Sequence, residues 1–178
     1  LADLARLCQP YLQDFLTHLQ YTDKLEFVGV SDGKVDEVYL SKIIALEQPR
    51  LKKLSEIGER TAYFFRRPEY DKELLRWRKN MTDENIKSAL DLSIKILEEK
   101  ALQEKIDSAE RLRDLFFSVE TEVLLHSSLE IGGVEIGGGH RGFLLWPLRV
   151  ALSGRKASPG PFEIMEILGV EESLARIR

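Results

Sequence analysis

The sequence contains few of the residues that form disulfides and metal sites. It has one cysteine, Cys8, and three histidines, His18, His126 and His140, among 178 residues. A single cysteine excludes an intrachain disulfide and a cysteine-based zinc site, and no two histidines have the spacing of a helical metal pair. Because Cys8 lies in a helical pattern, we interpret it as a small buried hydrophobe. We therefore predict no metal site, and a cytoplasmic location, where disulfides are rare.

Long hydrophobic runs are also missing from the chain. No run approaches the ~18 residues that a membrane-spanning helix needs, so we expect no association with a membrane. The first residues, LADLARLCQPYLQDF, have neither an initiator methionine nor the layout of a signal peptide. We therefore expect a piece excised from a longer protein. Hydrophobic residues still make up 43% of the chain, which is enough for a core.

The alternation of apolar and polar residues that is typical of strands is equally scarce. Apolar residues instead recur every three or four positions, which predicts helices. We predict an all-α fold, a bundle or cage of about eight or nine helices. Pro10 should kink or split the first helix. The predicted helical segments include residues 2–20, 35–47, 51–65, 72–79, 82–100, 105–130 and 171–178.

Turn-forming residues divide these helices and indicate a domain boundary. The strongest break is RRPEYD at residues 66–71, which separates two helical regions. We therefore predict two small helical subdomains, residues 1–69 and 70–178. The most glycine-rich segment, EIGGVEIGGGHRG at 130–142, has six glycines in thirteen residues. We interpret it as a flexible connection or lid between helices.

Acidic residues are absent from one long window of an otherwise acidic chain. The formal net charge is −4, yet residues 136–162 contain no Asp or Glu. This charge distribution disfavours a strongly basic nucleic-acid binder but allows a local basic patch. We predict that this basic patch consists of three cations of the window: Arg141, Arg155 and Lys156.

The window also holds a helical arginine followed by a rigid turn. Arg149 lies on an apolar helical run, where it is either part of a buried ion pair or presented to a base. The residues Ser158-Pro159-Gly160-Pro161 predict a type II turn, and Pro161 suits the first position of a helix. Phe162 and Glu163 then continue that helix. Free backbone N–H groups at such a helix start can bind a phosphate or a base edge.

A second basic cluster combines arginines with aromatic residues. Arginine beside exposed aromatic rings suits single-stranded bases, which stack on rings and guanidinium planes. The alternative is that the aromatic residues form core and the cations are solvated. The cluster comprises Arg60, Tyr63, Phe64, Phe65, Arg66, Arg67, Arg76, Trp77, Arg78 and Lys79.

The sequence offers no converging set of catalytic groups. Most acids stand among lysines on helical faces, as in EEKALQEK, a pattern typical of solvated surface. The stretch GGVEIGGGH lacks the Gly-Lys-Ser/Thr ending of a phosphate-binding loop and follows no predicted strand. An independent metal or nucleotide enzyme would depend on this stretch alone. We therefore predict no catalytic residues and no cofactor in the chain.

Two blocks of the sequence resemble the C-terminal anticodon-binding region of bacterial-type glutamyl-tRNA synthetases. The denser block is WPLRVALSGRKASPGPFEIMEILG at 146–169, and the earlier one is ALEQPRLKKLSEIGERTAYFF at 45–65. Their order and spacing are similar to those of the family, and the resemblance covers essentially the whole chain. It implies an α-helical cage of two subdomains that grips the anticodon loop of glutamate tRNA.

The resemblance also implies roles for individual residues. Arg50 matches the arginine that reads the third anticodon base, a cytosine in glutamate tRNA, and rejects the guanine of glutamine tRNA. A guanidinium can donate hydrogen bonds to O2 or N3 of cytosine. On part of guanine it meets hydrogen-bond donors, to which it cannot donate. Trp146 falls at another position near the anticodon. The residues that match positions around the first two anticodon bases are Arg149, Ser158, Pro159, Pro161 and Phe162; Pro161 replaces an aliphatic residue of some members.

The resemblance further implies a catalytic domain elsewhere in the same protein. That domain would be Rossmann-type and would join glutamate to tRNA with ATP and Mg²⁺. Its His-Ile-Gly-His-like and Lys-Met-Ser-Lys-Ser-like motifs do not occur in this chain. We therefore expect a monomeric tRNA-binding part without catalysis of its own. The alternative is a helical protein-interaction module that does not bind tRNA, and separation of Arg50 from Arg149 and Ser158 beyond the span of an anticodon would favour it.

Overall fold

A computed structural model describes residues 2–22, 30–31, 34–101, 106–126, 130–131, 134–135 and 141–178. The described residues form eight α-helices, which confirms the all-α prediction. The helices are α1 (Ala2–Thr22), α2 (Glu37–Glu47), α3 (Ile57–Phe65), α4 (Asp83–Ile96), α5 (Ala109–His126), α6 (Arg141–Ser153), α7 (Pro161–Leu168) and α8 (Val170–Ile177). Short 3-10 turns span Gln48–Arg50, Leu54–Glu56 and Lys72–Leu75, and a π-helical turn, Leu97–Ala101, extends α4.

The chain divides into two compact units, Leu1–Arg67 and Pro68–Arg178. The first unit contains α1 to α3, and the second contains α4 to α8. The predicted division into anticodon-binding subdomains at residue 69 falls in the same connecting segment, and it stays a prediction.

The core of the first unit forms where α1 and α2 pack on α3. Cys8 is fully buried in α1, as the sequence predicted, and burial raises the pKa of its thiol. Gly58 lets α3 approach α1 closely, since a Cβ atom there would lie 2.6 Å from Cγ of Phe15. Of the predicted kink or split at Pro10, the split is wrong, because α1 runs through this residue, and the kink stays a prediction. Pro10 is exposed, so water can reach the carbonyl whose helical partner the proline removes.

Two small antiparallel strand pairs lie between helices, one between α1 and α2 and the other between α5 and α6. β1 (Val30–Ser31) pairs antiparallel with β2 (Lys34–Val35), and β3 (Glu130–Ile131) pairs with β4 (Val134–Glu135). Neither hairpin is predicted from the sequence, because two-residue strands are too short to show an alternating pattern. Part of the glycine-rich segment is therefore a hairpin and not only a connection between helices; residues 136–140, which include His140, lie outside the described residues.

Two predicted helices are shorter in the structure. The predicted helix 72–79 is only the 3-10 turn Lys72–Leu75, because the backbone of Arg76 is extended. In the predicted helix 51–65, the α-helical part begins only at Ile57, after the 3-10 turn at Leu54–Glu56.

The second unit is built around α6, which packs on α4, α7 and α8 and on the 3-10 turn of Lys72–Leu75. The buried face of α6 is apolar and includes Phe143, Leu148 and Leu152. Arg176 of α8 is buried beside it, donating from Nε to Glu172 at 2.8 Å and from Nη1 to the Leu152 carbonyl at 2.9 Å. This packing fixes the axis of α6 and therefore the direction of its exposed side chains.

Thr82 and Asn85 form a capping box at the N-terminus of α4. The Thr82 side chain accepts a hydrogen bond from the Asn85 backbone N–H at 3.2 Å, and the Asn85 side chain accepts one from the Thr82 N–H at 2.8 Å. Such a capping box satisfies two backbone donors that the helix leaves without partners.

We expect Thr82→Ala to lower the free energy of unfolding by about 1 kcal/mol, because it removes the oxygen that caps α4. Thr82→Ser keeps this oxygen and should stay close to the wild type. Urea unfolding followed by circular dichroism measures both variants. Equal stabilities of the alanine and serine variants would contradict the assigned role of the cap.

Candidate nucleic-acid interface

Arg149 connects three parts of the predicted interface. Its Nη2 donates to the Lys156 carbonyl at 2.8 Å, and its Nη1 donates to Oγ of Ser158 at 3.3 Å. The guanidinium carbon also lies 4.5 Å from the centre of the Trp146 ring, within cation–π range. Arg149 therefore ties α6 to the segment between α6 and α7.

These contacts resolve part of the ambiguity that the sequence left at Arg149. No carboxylate pairs with it among the described residues, so it is not the buried ion pair that we considered. Its partial burial lowers the pKa of the guanidinium, but an arginine stays protonated at neutral pH. A positive charge is thus held on a half-buried aromatic ring, with no carboxylate partner in the part of the chain that the structure describes.

Trp146 is fixed in turn by the start of the second unit. Its Nε1 donates to the Leu74 carbonyl at 2.8 Å, and the residue is only partly exposed. Trp146 and Arg149 stand three positions apart on α6, a spacing that brings side chains together on a helix. Both residues were predicted as site residues without their pairing, which this spacing alone could have indicated.

The turn after α6 depends on a left-handed glycine. Gly154 has a φ of 66°, and its N–H donates to the Val150 carbonyl at 2.6 Å. A Cβ atom at this position would lie 2.6 Å from Cβ of Pro68. Ser153 adds a bond from its hydroxyl to the Arg149 carbonyl at 2.7 Å. Glycine is therefore required both for the backbone conformation and for the close approach of Pro68.

The predicted type II turn at residues 158–161 is wrong. A type II turn needs a positive φ at its third position, but Gly160 has a φ of −65° and a ψ of 157°. Gly160 instead caps α7 in an extended conformation, and Pro161 occupies the first turn of that helix, as predicted. Glu163 lies in the same turn and pairs with Arg113 of α5 at 2.7 Å.

Three predicted interface residues around this turn have little exposed surface. Pro159, Pro161 and Phe162 are all buried. The Phe162 ring is 3% exposed and lies edge-on to the rings of Phe116 and Phe117, at 5.2 and 6.0 Å. The expectation that unstacked bases meet this ring does not fit the structure, because the ring belongs to the core between α5 and α7. Contact with a base would have to use the backbone of these residues.

The predicted basic patch flanks this turn and the start of α6. Lys156 is exposed, and Arg155 is partly exposed, with its backbone N–H directed to Oγ of Ser153 at 3.3 Å. Arg141 is exposed at the first residue of α6, and its guanidinium carbon lies 4.2 Å from the centre of the Phe117 ring.

Arg50 belongs to the first compact unit. It is the last residue of the 3-10 turn Gln48–Arg50, which continues α2 beyond Glu47. The side chain is exposed, and Nη1 donates to the Leu46 carbonyl at 3.3 Å. Pro49 prevents α2 from continuing regularly and so places Arg50 on an exposed corner.

Most residues of the second basic cluster fit the alternative interpretation and do not form a platform of arginines beside exposed rings. Tyr63, Phe64 and Phe65 are buried core residues of α3. Arg76 pairs with Glu73 at 3.1 Å and with Asp83 at 2.5 Å. Arg78 is exposed and stacks on Trp77, with its guanidinium carbon 4.0 Å from the ring centre.

The described residues offer neither a metal site nor a membrane-spanning helix. No group of three or more His, Cys, Asp or Glu side chains that could hold a metal ion occurs within these residues. None of the described helices is both long enough and apolar enough to cross a bilayer.

The comparisons with known proteins all point to one family. A family model described as an anticodon binding domain matches residues 3–119 and 135–178. The glutamate–tRNA ligase of Clostridium tetani (strain Massachusetts / E88) is 37% identical over 142 residues, covering 78% of this chain and 25% of that protein. The glutamate–tRNA ligase of Lachnoclostridium phytofermentans is 36% identical over 149 residues, covering 81% of this chain and 26% of that protein. The chain thus spans about a quarter of the length of these curated relatives.

Solved structures share the fold. A glutamate tRNA ligase from Elizabethkingia meningosepticum, crystallised with its amino acid, superposes with a TM-score of 0.59 at 21% identity. The match covers 97% of this chain and 29% of that one. The glutamate-tRNA synthetase of Elizabethkingia anophelis gives 0.53 at 19% identity over 96% of this chain and 27% of that one.

We expect Arg149→Met to lower the free energy of unfolding by about 1–2 kcal/mol, because it removes two hydrogen bonds and the stacked cation while keeping an apolar stem. Lys156→Met is the matched control. It removes a charge of the same turn but leaves the carbonyl that accepts from Arg149, and it should change stability by less than about 0.5 kcal/mol. Urea unfolding of both variants makes the comparison, and equal losses would contradict a structural role for Arg149.

Proposed function

The chain belongs to the anticodon-binding domain family, and on this premise we propose that it binds the anticodon loop of a glutamate tRNA. The observation that carries the proposal is the arrangement of Arg149 on Trp146 beside the turn that leads into α7. It lies in a window without acidic residues, so nothing in the local sequence opposes an approaching RNA backbone.

The α6–α7 segment provides three kinds of contact with an unpaired loop. Exposed Lys156 and partly exposed Arg155 attract the phosphates. The guanidinium of Arg149 has one face on Trp146, and its other face can stack on a base. Ser158 and the backbone around Gly160 provide polar groups for base edges. Pro159, Pro161 and Phe162 support this surface from the buried side and hold its backbone in shape.

Arg50 supplies the specificity of the proposed interface. Its guanidinium is exposed, and its 3.3 Å bond to a carbonyl leaves donors for a base. In our proposal it donates to the cytosine at the third anticodon position and meets an unfavourable donor pattern when that base is guanine. The full-length protein would therefore prefer glutamate tRNA to glutamine tRNA.

The proposal extends to the longer protein of which the chain would be one part. That protein would be a monomeric cytoplasmic ligase that joins glutamate to tRNA, with ATP and Mg²⁺ bound in a separate catalytic domain. This part would contribute binding and discrimination, but no catalytic group.

We expect the chain to bind glutamate tRNA more tightly than the same tRNA with guanine at the third anticodon position. The affinity should fall steeply as salt is raised, because released counterions contribute to binding. Fluorescence anisotropy at several salt concentrations measures both quantities. Equal affinities for the two RNAs, or no binding at low salt, would favour a helical protein-interaction module instead.

Arg50→Gln should cost about 1–3 kcal/mol of this discrimination, the scale of a lost base-specific contact. The matched control is Lys52→Gln, which removes an exposed cation two residues away. It should weaken binding of both RNAs alike and reduce the salt slope, as expected of a phosphate contact. Retention of full discrimination by Arg50→Gln would remove Arg50 from the proposed interface.

A further inference from the structure

Glu47 is an unusually buried carboxylate at the end of α2. The residue is 2% exposed, and its Oε1 accepts a hydrogen bond from the hydroxyl of Tyr63 at 3.2 Å. Its Oε2 lies 3.9 Å from Nη1 of Arg60 and accepts no hydrogen bond within the described residues. Both neighbours belong to α3, so this one side chain links the last residue of α2 to the next helix.

Such a group is not explained by stability alone. Removing a carboxylate from water costs several kcal/mol, and a long ion pair with one hydrogen bond recovers only part of that cost. A well-packed apolar residue at the same place is often as stable or more so. Buried charged groups can instead select one arrangement of the chain over its neighbours, and in that case their effect appears in the segment that they position.

The turn that presents Arg50 comes directly after Glu47. This turn, Gln48–Arg50, has no side-chain cap of its own, and its first residue donates to the Ile44 carbonyl of α2. Gln48, Pro49 and Arg50 are all exposed, so Glu47 is the last buried residue before the exposed corner. The position of the Arg50 backbone is therefore set largely by how the end of α2 is held.

The other end of α2 is held separately. The hydroxyl of Tyr39 donates to the Phe64 carbonyl at 2.7 Å, and the Tyr39 ring lies edge-on to Phe65 at 6.2 Å. The apolar contacts of Ile43 and Ile44 fix the middle of the helix. A change at Glu47 should thus loosen the last turn of α2 without releasing the helix as a whole.

We propose that Glu47 is a positioning residue for recognition of the third anticodon base, acting through Arg50 and held by Tyr63 and Arg60. The inference rests on the proposed function, because it assumes that Arg50 reads that base. A base-reading guanidinium tolerates little displacement, since its hydrogen bonds depend on distance and angle together. Exposed Arg50 has a single 3.3 Å bond to Leu46, so the backbone beneath it supplies most of its orientation.

The test compares discrimination, not affinity alone. The Kd of the chain is measured for glutamate tRNA and for the same tRNA with guanine at the third anticodon position. Glu47→Gln keeps the shape of the side chain and loses its charge, and we expect it to reduce the ratio of the two Kd values at least about five-fold, the lower end for a lost base contact. In an Arg50→Gln background the same change should leave the ratio unaltered, because coupled residues are not additive.

Glu56→Gln is the matched control. Glu56 pairs with the same Arg60 at 3.3 Å, but it lies in the 3-10 turn before α3 and is partly exposed. Its loss should leave the ratio unchanged. Tyr63→Phe provides a second route, since it removes the hydrogen bond to Glu47 while keeping the ring in the core, and it should reduce the ratio in the same direction. If Glu47→Gln fails to fold by circular dichroism, Tyr63→Phe decides the question.

The outcomes distinguish the positioning role from the proposed function. If the wild-type chain discriminates and a folded Glu47→Gln or Tyr63→Phe variant keeps the full ratio, the positioning role is overturned and the proposed function stands. An equal loss of affinity for both RNAs would also overturn the positioning role, because it would indicate a merely structural role. If the wild-type chain does not discriminate, the proposed function fails and the positioning role fails with it.

Discussion

The contact on which the candidate interface depends is the bridge that Arg149 makes between α6 and the residues leading into α7. One guanidinium lies on the Trp146 ring and donates to both the Lys156 carbonyl and the Ser158 hydroxyl. Without it, the segment from Gly154 to Gly160 would lose two hydrogen bonds that attach it to α6, while its glycine turn and its serine bonds would remain. Arg149 thus shapes the turn and also places a positive charge beside it. Among the described residues, no carboxylate pairs with this charge.

The two compact units present their candidate recognition groups by similar physical means. Each places an arginine at or near the end of a helix whose buried face fixes the backbone: Arg50 follows α2, and Arg149 lies in the second half of α6. In the second unit the arginine itself makes the supporting contacts. In the first unit Arg50 itself makes a single bond, to the Leu46 carbonyl, and we propose that buried Glu47, which contacts Tyr63 and Arg60, supports it. This difference explains why only Arg50 needs a positioning residue in our proposal.

The sequence predicted what periodicity and capping can encode, and it failed where geometry depends on distant contacts. The all-α class, the capping box at Thr82 and the start of α7 at Pro161 all follow from local patterns. The conformation of Gly160 does not, because this residue is the extended N-cap of α7 and not the third residue of a type II turn, and both roles suit the same local sequence. Burial of Phe162 depends on rings from α5, far away in the sequence. The charge window located the candidate interface, but only the structure shows which of its side chains face solvent.

The most direct test of anticodon recognition by this chain is a titration of the isotopically labelled protein with an RNA hairpin carrying the glutamate anticodon, followed by NMR chemical shifts. We predict that shifts concentrate in two segments, around Arg50 and from Trp146 to Phe162, and that guanine at the third anticodon position abolishes those around Arg50 first. Shifts confined to other surfaces, or a response in the second segment that is identical for unrelated hairpins while Arg50 stays unperturbed, would contradict it.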